Sequence, residues 1–362
     1  MFIAIYLISF FISCALIKYA THTGKMIDSA SSTKPQKMHF GDIPRVGGVG
    51  VFVAFCAGIV ALVVLGKIEA KFLALLIPAI LIFTSGILED FNRPLTPKTR
   101  LFLQTLGVIS AIIAFPNCVI TDIGVELYYD FAVFFTLFCI VGVVNALNII
   151  DGFNALAGGY ALFVLISIAL VSAFVGNFAV CYIALVAIGA ILGFLVLNFP
   201  NAKIFLGDGG AYLVGFIIAF LLVILTQDSA KLPSDSADIV HSVENLNAPL
   251  PKSTFVSAYF GLCVMIYPVF EVLFSIWRRK RRKLQAMQPD KLHLHSLIFK
   301  RITRSNPKTT IFLLIFSAPF IIVPVFFYDN ALVLIALCAI FVALYLNLYK
   351  RIVRFKGVFI KF

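Results

Sequence analysis

Apolar residues gather into eleven stretches, at roughly 2–20, 47–66, 71–88, 101–118, 131–149, 156–175, 177–197, 210–226, 254–276, 309–327 and 331–349. A helix needs about 20 apolar residues to cross the hydrocarbon of a bilayer. The pattern therefore predicts an all-α integral membrane protein of about eleven transmembrane helices. The pairs 156–175/177–197 and 309–327/331–349 leave almost no loop and predict helical hairpins. The first stretch lacks a basic leading region, and no small-residue cleavage site precedes Lys18, so it reads as an anchored helix rather than a removed signal. With no internal repeat and no long soluble segment, residues 1–362 read as one polytopic membrane domain.

The polar segments between the stretches are not equivalent. Lys18 and the segments 21–46, 89–100, 198–208, 277–308 and 350–362 carry 25 of the 29 Lys and Arg residues, and the alternate segments carry 4. Basic loops stay on the cytoplasmic side of a membrane. This bias predicts the N-terminus outside and the C-terminus in the cytoplasm, with an odd number of spans. Composition agrees, at 61% hydrophobic and only 13% charged, where soluble domains run near a quarter charged. The net charge of +12 is then a product of topology, with basic loops lying against anionic head groups. It does not point to nucleic acid. The seven cysteines are scattered without a CxxC pair, which argues against a disulfide framework or a zinc site.

Against this apolar background a few acids stand out. They are Glu89 and Asp90 in Gly86-Ile-Leu-Glu-Asp90, Asp151 in Asn145-Ala-Leu-Asn-Ile-Ile-Asp-Gly152, Asp208 in Phe205-Leu-Gly-Asp-Gly-Gly210, and Glu271 in Pro268-Val-Phe-Glu271. A carboxylate at the edge of hydrocarbon is costly and usually answers to a metal, a cation or a substrate. On the predicted topology Glu89, Asp90, Asp151 and Asp208 arrive at the same cytoplasmic face from three separate loops. His39, Asp42, Arg45, Arg93, Lys98, Arg100 and Lys203 accompany them, and loop 277–308 adds His293 and His295. The face is thus built from loops 21–46, 89–100, 150–155, 198–209 and 277–308.

This combination suits a phosphorylated substrate. Carboxylates hold a hard divalent cation, Mg2+ with Mn2+ as an alternative ion, through oxygen ligands and retained waters. Arg and Lys clamp the remaining phosphate oxygens. The glycines beside Asp208 are expected to let backbone N–H groups approach an anion and to aim the start of the eighth helix at it. Taken singly, an acid beside glycine is often a cap or a turn residue, and Asp42 and Asp122 read that way. Glu271 lies inside the ninth stretch and reads as a buried acid paired with an arginine or as a wall of the site. The His293–His295 spacing is too short for one helix face and suits an extended loop.

The order of these motifs resembles the polyprenyl-phosphate N-acetylhexosamine-1-phosphate transferases, relatives of the phospho-MurNAc-pentapeptide transferase. The resemblance runs over about residues 38–300. It is carried by Met38-His-Phe-Gly-Asp-Ile-Pro-Arg-Val-Gly-Gly-Val49, Gly86–Asp90, Asn145–Gly159, Phe205–Gly210 and Pro289-Asp-Lys-Leu-His-Leu-His295. It implies transfer of an N-acetylhexosamine-1-phosphate, GlcNAc-1-phosphate first among them, from a UDP-sugar to undecaprenyl phosphate. UMP is released, and Mg2+ is required. It implies a bacterial inner-membrane enzyme facing the cytoplasm that starts a lipid-linked glycan such as an O-antigen or a cell-wall polymer, with a homodimer as an open question. By the resemblance Asp208 and Asp90 are metal ligands, and Glu89, Asp90, Asp151, Asp208, His293 and His295 form the catalytic set. His39, Arg45, Arg100, Asn145, Asn148, Gly152, Asn154, Lys203 and Phe205 are its substrate-binding positions.

Three positions depart from the family pattern. Glu89 stands where the acidic pair usually has aspartate, Asn154 where many relatives carry a second aspartate, and Ser296 where some have a third histidine. An alternative keeps the chemistry with another sugar such as N-acetylfucosamine. A transporter is the reading from a different class. It would place acids at the membrane midplane within repeated broken helices, and no repeat is present.

Overall fold

A computed structural model describes residues 1–24, 27–28, 43–91, 95–228, 255–281 and 292–354. His39, Asp42 and Arg93, and nearly all of the 227–252 segment, lie outside them. The described chain is almost wholly helical. In order come α1 (Phe2–Thr23), a two-residue antiparallel ladder of β1 (Ile27–Asp28) with β2 (Ile43–Pro44), and α2 (Gly47–Val64). A 3₁₀ turn (Ala70–Leu75) leads into α3 (Leu76–Asp90), followed by α4 (Pro97–Ala114), α5 (Tyr129–Ile150), α6 (Leu156–Phe174), α7 (Phe178–Asn198) and α8 (Gly207–Asp228). The rest is α9 (Ala258–Val264), α10 (Ile266–Arg281), the short α11 (Leu294–Ile298), α12 (Asn306–Ser317), α13 (Pro319–Phe326) and α14 (Ala331–Arg354).

Among the described residues nine helical segments are long and apolar enough to cross a membrane, and up to ten if the α9–α10 pair counts as one. By length and composition these helices are those of a multi-pass membrane protein. All eleven predicted stretches are helical, but two behave differently from expectation. The fourth, α4, starts with the polar turn Pro97-Lys-Thr-Arg100, which shortens its apolar length. The ninth, expected as one span over 254–276, is broken by 75° between Val264 and Ile266. The reason is local. Pro268 has no N–H to give the Val264 carbonyl four residues earlier. The Tyr160 hydroxyl of α6 donates to that carbonyl instead, at 2.7 Å, so the break leaves no orphan acceptor in an apolar interior.

The bundle is organised round α8, whose spanning window is entirely buried, with α1 and α14 at the periphery. Helices α2, α3, α5 and α6 pack against α8. Close approach is achieved with glycine, since apolar chains gain little from each other in lipid and associate by van der Waals fit. A Cβ at Gly48 would lie 2.5 Å from the Gly210 Cα, and one at Gly86 would collide with the Gly209 backbone.

At the far end of α8, Gln227 accepts from the backbone N–H groups of Thr121 and Asp122, at 3.0 and 3.1 Å. Asp122 itself accepts from the Gly124 N–H at 2.6 Å, the turn role expected of it. Tyr160→Phe is expected to lower thermal stability in detergent by about 1 kcal/mol, the net worth of one buried hydrogen bond. An unchanged unfolding midpoint would count against the hydroxyl as the cap of the break.

Candidate active site

The acids converge where the start of α8 meets the ends of α3 and α5. Asp90, the last residue of α3, is 4% exposed. Its two oxygens accept the backbone N–H groups of Asp208 and Gly209, each at 3.0 Å. The first N–H groups of α8 were expected to face an anionic ligand, but two of them are thus given to Asp90. Gly207 makes this possible. Its φ of 77° suits glycine, and a Cβ there would strike the Arg45 carbonyl and lie 2.6 Å from Asp90 Oδ2. Segment 44–48 runs alongside 205–206, with Phe205 N–H donating to the Pro44 carbonyl and Gly47 and Gly48 N–H to the carbonyls of Phe205 and Leu206, at 2.7, 2.9 and 2.8 Å.

Asp208 is the centre of the cluster. Asn148 Nδ2 donates to its Oδ1 at 2.9 Å. Arg45 Nη2 lies 3.3 Å from the same oxygen and 3.8 Å from Asp90 Oδ1. Arg100 Nη1 lies 4.0 Å from Asp208 Oδ2 and donates to Glu89 Oε2 at 2.5 Å. Glutamate in place of aspartate at position 89 thus gives the arm a partner, the guanidinium at the first turn of α4. Both side chains remain about a quarter exposed, at 27% and 25%.

Asp151, just past the end of α5, is half-buried, and among the described residues no hydrogen bond or ion pair satisfies its carboxylate. Burial, and then repulsion from Asp208, raise it to about 7, with Arg45 opposing. A carboxylate without a direct ion pair beside a second, partly exposed one fits a hard cation. Among the described residues no three His, Cys, Asp or Glu side chains close round a metal by themselves. Mg2+ is consistent with such a donor set, because it keeps waters and is completed by substrate phosphates. Asp90, expected as a second ligand, accepts one α8 N–H at each oxygen and so fixes where Asp208 starts, with a lone pair left on each oxygen.

The histidines border the Asp151 turn. His293 precedes α11 in an extended conformation, and His295 lies in its first turn. The two rings stack face to face, at 5.2 Å between centroids and 8° between planes. A side chain at Gly152 would meet His295 Nε2 at 3.6 Å, and Phe153 packs edge-on against the same ring. Burial, helped by His293, depresses His295 to about 3 against the pull of Glu271. The shift favours the neutral imidazole at neutral pH.

Other expected positions have different duties. Asn145 Nδ2 donates to Gln104 Oε1 and the Val141 carbonyl, at 2.7 and 2.8 Å, joining α5 to α4 one turn from the acids. Asn154 Nδ2 donates to the Pro200 carbonyl at 2.8 Å, its N–H goes to Asn306 and its carbonyl accepts from Thr310. An ionised aspartate has no donor for Pro200, which accounts for asparagine here. Lys203 is exposed and is not among the residues joined to the acids. Among the described residues no arginine pairs with Glu271, against the arginine partner expected for it. His293 Nδ1, the Leu294 N–H and the Tyr345 hydroxyl surround it. Glu271 was legible only as an unusual acid, because its partners lie 22 and 74 residues away.

A model of glycosyl transferase family 4 matches residues 72–226, which include Glu89, Asp90, Asp151 and Asp208. The chain is similar to a probable undecaprenyl-phosphate N-acetylglucosaminyl 1-phosphate transferase of Bacillus subtilis (strain 168), 30% identical over 276 residues, covering 74% of this chain and 69% of the relative. The chain belongs to glycosyl transferase family 4. The resemblance drawn from its motifs is borne out, and the protein is an enzyme of the glycosyl-1-phosphate transferase class. Two further relatives carry names of the same class. A decaprenyl-phosphate N-acetylglucosaminephosphotransferase of Mycobacterium tuberculosis (strain ATCC 25618 / H37Rv) is 28% identical over 313 residues, covering 78% of this chain and 73% of the relative. An undecaprenyl-phosphate alpha-N-acetylglucosaminyl 1-phosphate transferase of Escherichia coli (strain K12) is 25% identical over 308 residues, covering 81% and 76%.

The raised Asp151 yields a pH prediction. An ordinary aspartate has a value of about 3.9, so the folded protein keeps a proton that the unfolded chain releases. Stability from this group is present at low pH and is lost as pH rises toward about 7. In metal-free protein the unfolding temperature should fall more between pH 5 and pH 8 for wild type than for Asp151→Asn. Identical pH profiles would overturn the assignment.

Proposed function

We propose that this family 4 enzyme transfers GlcNAc-1-phosphate from UDP-GlcNAc to undecaprenyl phosphate at the cytoplasmic face of a bacterial inner membrane, releasing UMP. The observation that carries the reading is the Asp208 carboxylate, held between Arg45, Arg100 and Asn148 with the unsatisfied Asp151 nearby. The relatives' names supply the acceptor and sugar, and the segregation of 25 Lys and Arg residues to one side supplies the orientation. The same reading covers a lipid-linked glycan, an O-antigen or a cell-wall polymer, as the product's destination.

An oxygen of the acceptor phosphate attacks the sugar-linked phosphorus of the donor. A new P–O bond forms, the bond to the UMP oxygen breaks, and its electron pair leaves with UMP. Mg2+, held by Asp208 with Asp151 beside it, would neutralise charge on the transferring phosphoryl group and the leaving phosphate. The acceptor is already anionic at neutral pH, so the larger barrier is bringing two anions together. Arg45 and Arg100 lower it by placing positive charge against the acids and the incoming phosphates. Asn148 orients Asp208, and Asp90 fixes the backbone from which Asp208 projects. The neutral His295 offers a hydrogen bond at the Asp151 turn without adding charge.

The test is purified protein with Mg2+, undecaprenyl phosphate and a panel of UDP-sugars, scored by UMP release. UDP-GlcNAc is expected to be the preferred donor, and preference for another UDP-N-acetylhexosamine would correct the sugar while keeping the reaction. Absence of UMP with every donor would overturn the reading. Asp208→Asn should lower turnover at least 100-fold while the protein still inserts and unfolds cooperatively, as expected for loss of a group acting on transition-state charge. Normal turnover in that variant would remove Asp208 from the metal site.

A further inference from the structure

Glu271 is 0% exposed, yet the four acids at the head of α8 account for the site without it. A buried carboxylate needs full hydrogen bonding to be tolerated. Here it has three donors from two directions. His293 Nδ1 lies 2.9 Å from Oε1, and the Tyr345 hydroxyl of α14 donates to Oε2 at 2.7 Å. The Leu294 N–H is shared between the two oxygens at 3.2 and 3.3 Å. An ionised carboxylate only accepts, so the Nδ1 contact puts a His293 proton on Nδ1. The same carboxylate fixes the backbone at the next residue, so it sets both the ring and the chain that carries it.

The consequence passes along a row of contacts. His293 stacks in parallel on His295, and His295 lies against Gly152 and Phe153 at the Asp151 turn. The His295 Nδ1 is buried and has no hydrogen-bond partner among the described residues. The neighbouring segment is held from the same helix, since the Tyr349 hydroxyl donates to the Leu292 carbonyl at 3.3 Å. The break after Val264 turns α10 by 75° and so determines where Glu271 stands.

Resting on the transferase reading above, we propose that Glu271 is a positioning residue for that reaction. It fixes His293 in the Nδ1–H tautomer and, through the ring stack, sets the histidine pair against the Asp151 turn, with Tyr345 of α14 as its second anchor. Orienting partners behind a functional histidine typically contribute about 10–100-fold.

The experiment uses full-length protein in lipid and compares wild type with Glu271→Gln, Tyr345→Phe, His293→Gln and the Glu271→Gln/His293→Gln double variant. Glutamine preserves shape but turns one acceptor into a donor facing the Leu294 N–H or the tyrosine. Glu271→Gln is expected to lower kcat about 10–100-fold while the KM for the UDP-sugar moves less than about threefold, and Tyr345→Phe is expected to lose less. The double variant should be no worse than His293→Gln alone, because the carboxylate acts through that ring. Additive losses would overturn the proposal, as would a full-activity Glu271→Gln or a loss confined to KM.

Nitrogen-15 NMR of labelled histidine gives a readout that does not depend on turnover. Wild type should show one histidine fixed as the Nδ1–H tautomer, and that signal should shift in Glu271→Gln and vanish in His293→Gln. Superimposable wild-type and Glu271→Gln spectra would remove the anchor. If wild type released no UMP from any donor, the transferase reading and with it the role in transfer would fall, while the spectrum would still decide whether Glu271 fixes His293.

Discussion

Two hydrogen bonds from the backbone of Asp208 and Gly209 to the carboxylate of Asp90 are the constraint on which the site depends. They satisfy a buried acid, occupy two donors that a helix start leaves unpaired, and join the end of α3 to the start of α8. With that junction made, the Asp208 side chain enters the space bounded by Arg45, Arg100 and Asn148. The acids therefore divide by task. Asp90 ties α3 to α8, Asp208 and Asp151 are the less committed carboxylates, and Glu89 holds a guanidinium at the rim.

The histidine side of the site is built on different physics. Glu271 and the tyrosines of α14 supply polar anchors within an otherwise apolar interior, and the rings beyond them touch through faces and edges. A broken helix delivers the carboxylate. Its freed carbonyl is taken by Tyr160 from α6, so the bend is stabilised by a group contributed from another helix.

Much of the fold was legible in the sequence, because apolar length is a direct requirement of hydrocarbon. The eleven helical regions and the gathering of Glu89, Asp90, Asp151 and Asp208 at one end of the bundle follow from that pattern. The break at α9–α10 was not read from that pattern, which took 254–276 as one span. What could not be read was pairing across long separations. Asp90 and Glu89 are adjacent and chemically alike, yet one accepts from residues 118 and 119 positions away and the other from an arginine 11 positions away. Asn145 and Asn154 sit in the same motif as Asp151, yet their amides serve helix joining and loop pinning. Nothing local separates these roles from ligand contact. The glycines around Asp208 were read as room for an anion, and in the folded bundle they are largely room for neighbouring helices.

Those glycine contacts also divide the site mechanically. Along α2, α3 and α8 backbone rests on backbone at Gly48, Gly86, Gly209 and Gly210, and no rotamer change can relieve a contact that has no side chain in it. That wall has no slack, so it holds the distances among Asp90, Asp208 and Arg45. The opposite wall, where rings and a carboxylate meet α14, is made of side chains that have rotamers to spend. Any widening of the site during a catalytic cycle thus falls to the histidine side, and the peripheral C-terminal helix becomes the element that sets its compliance.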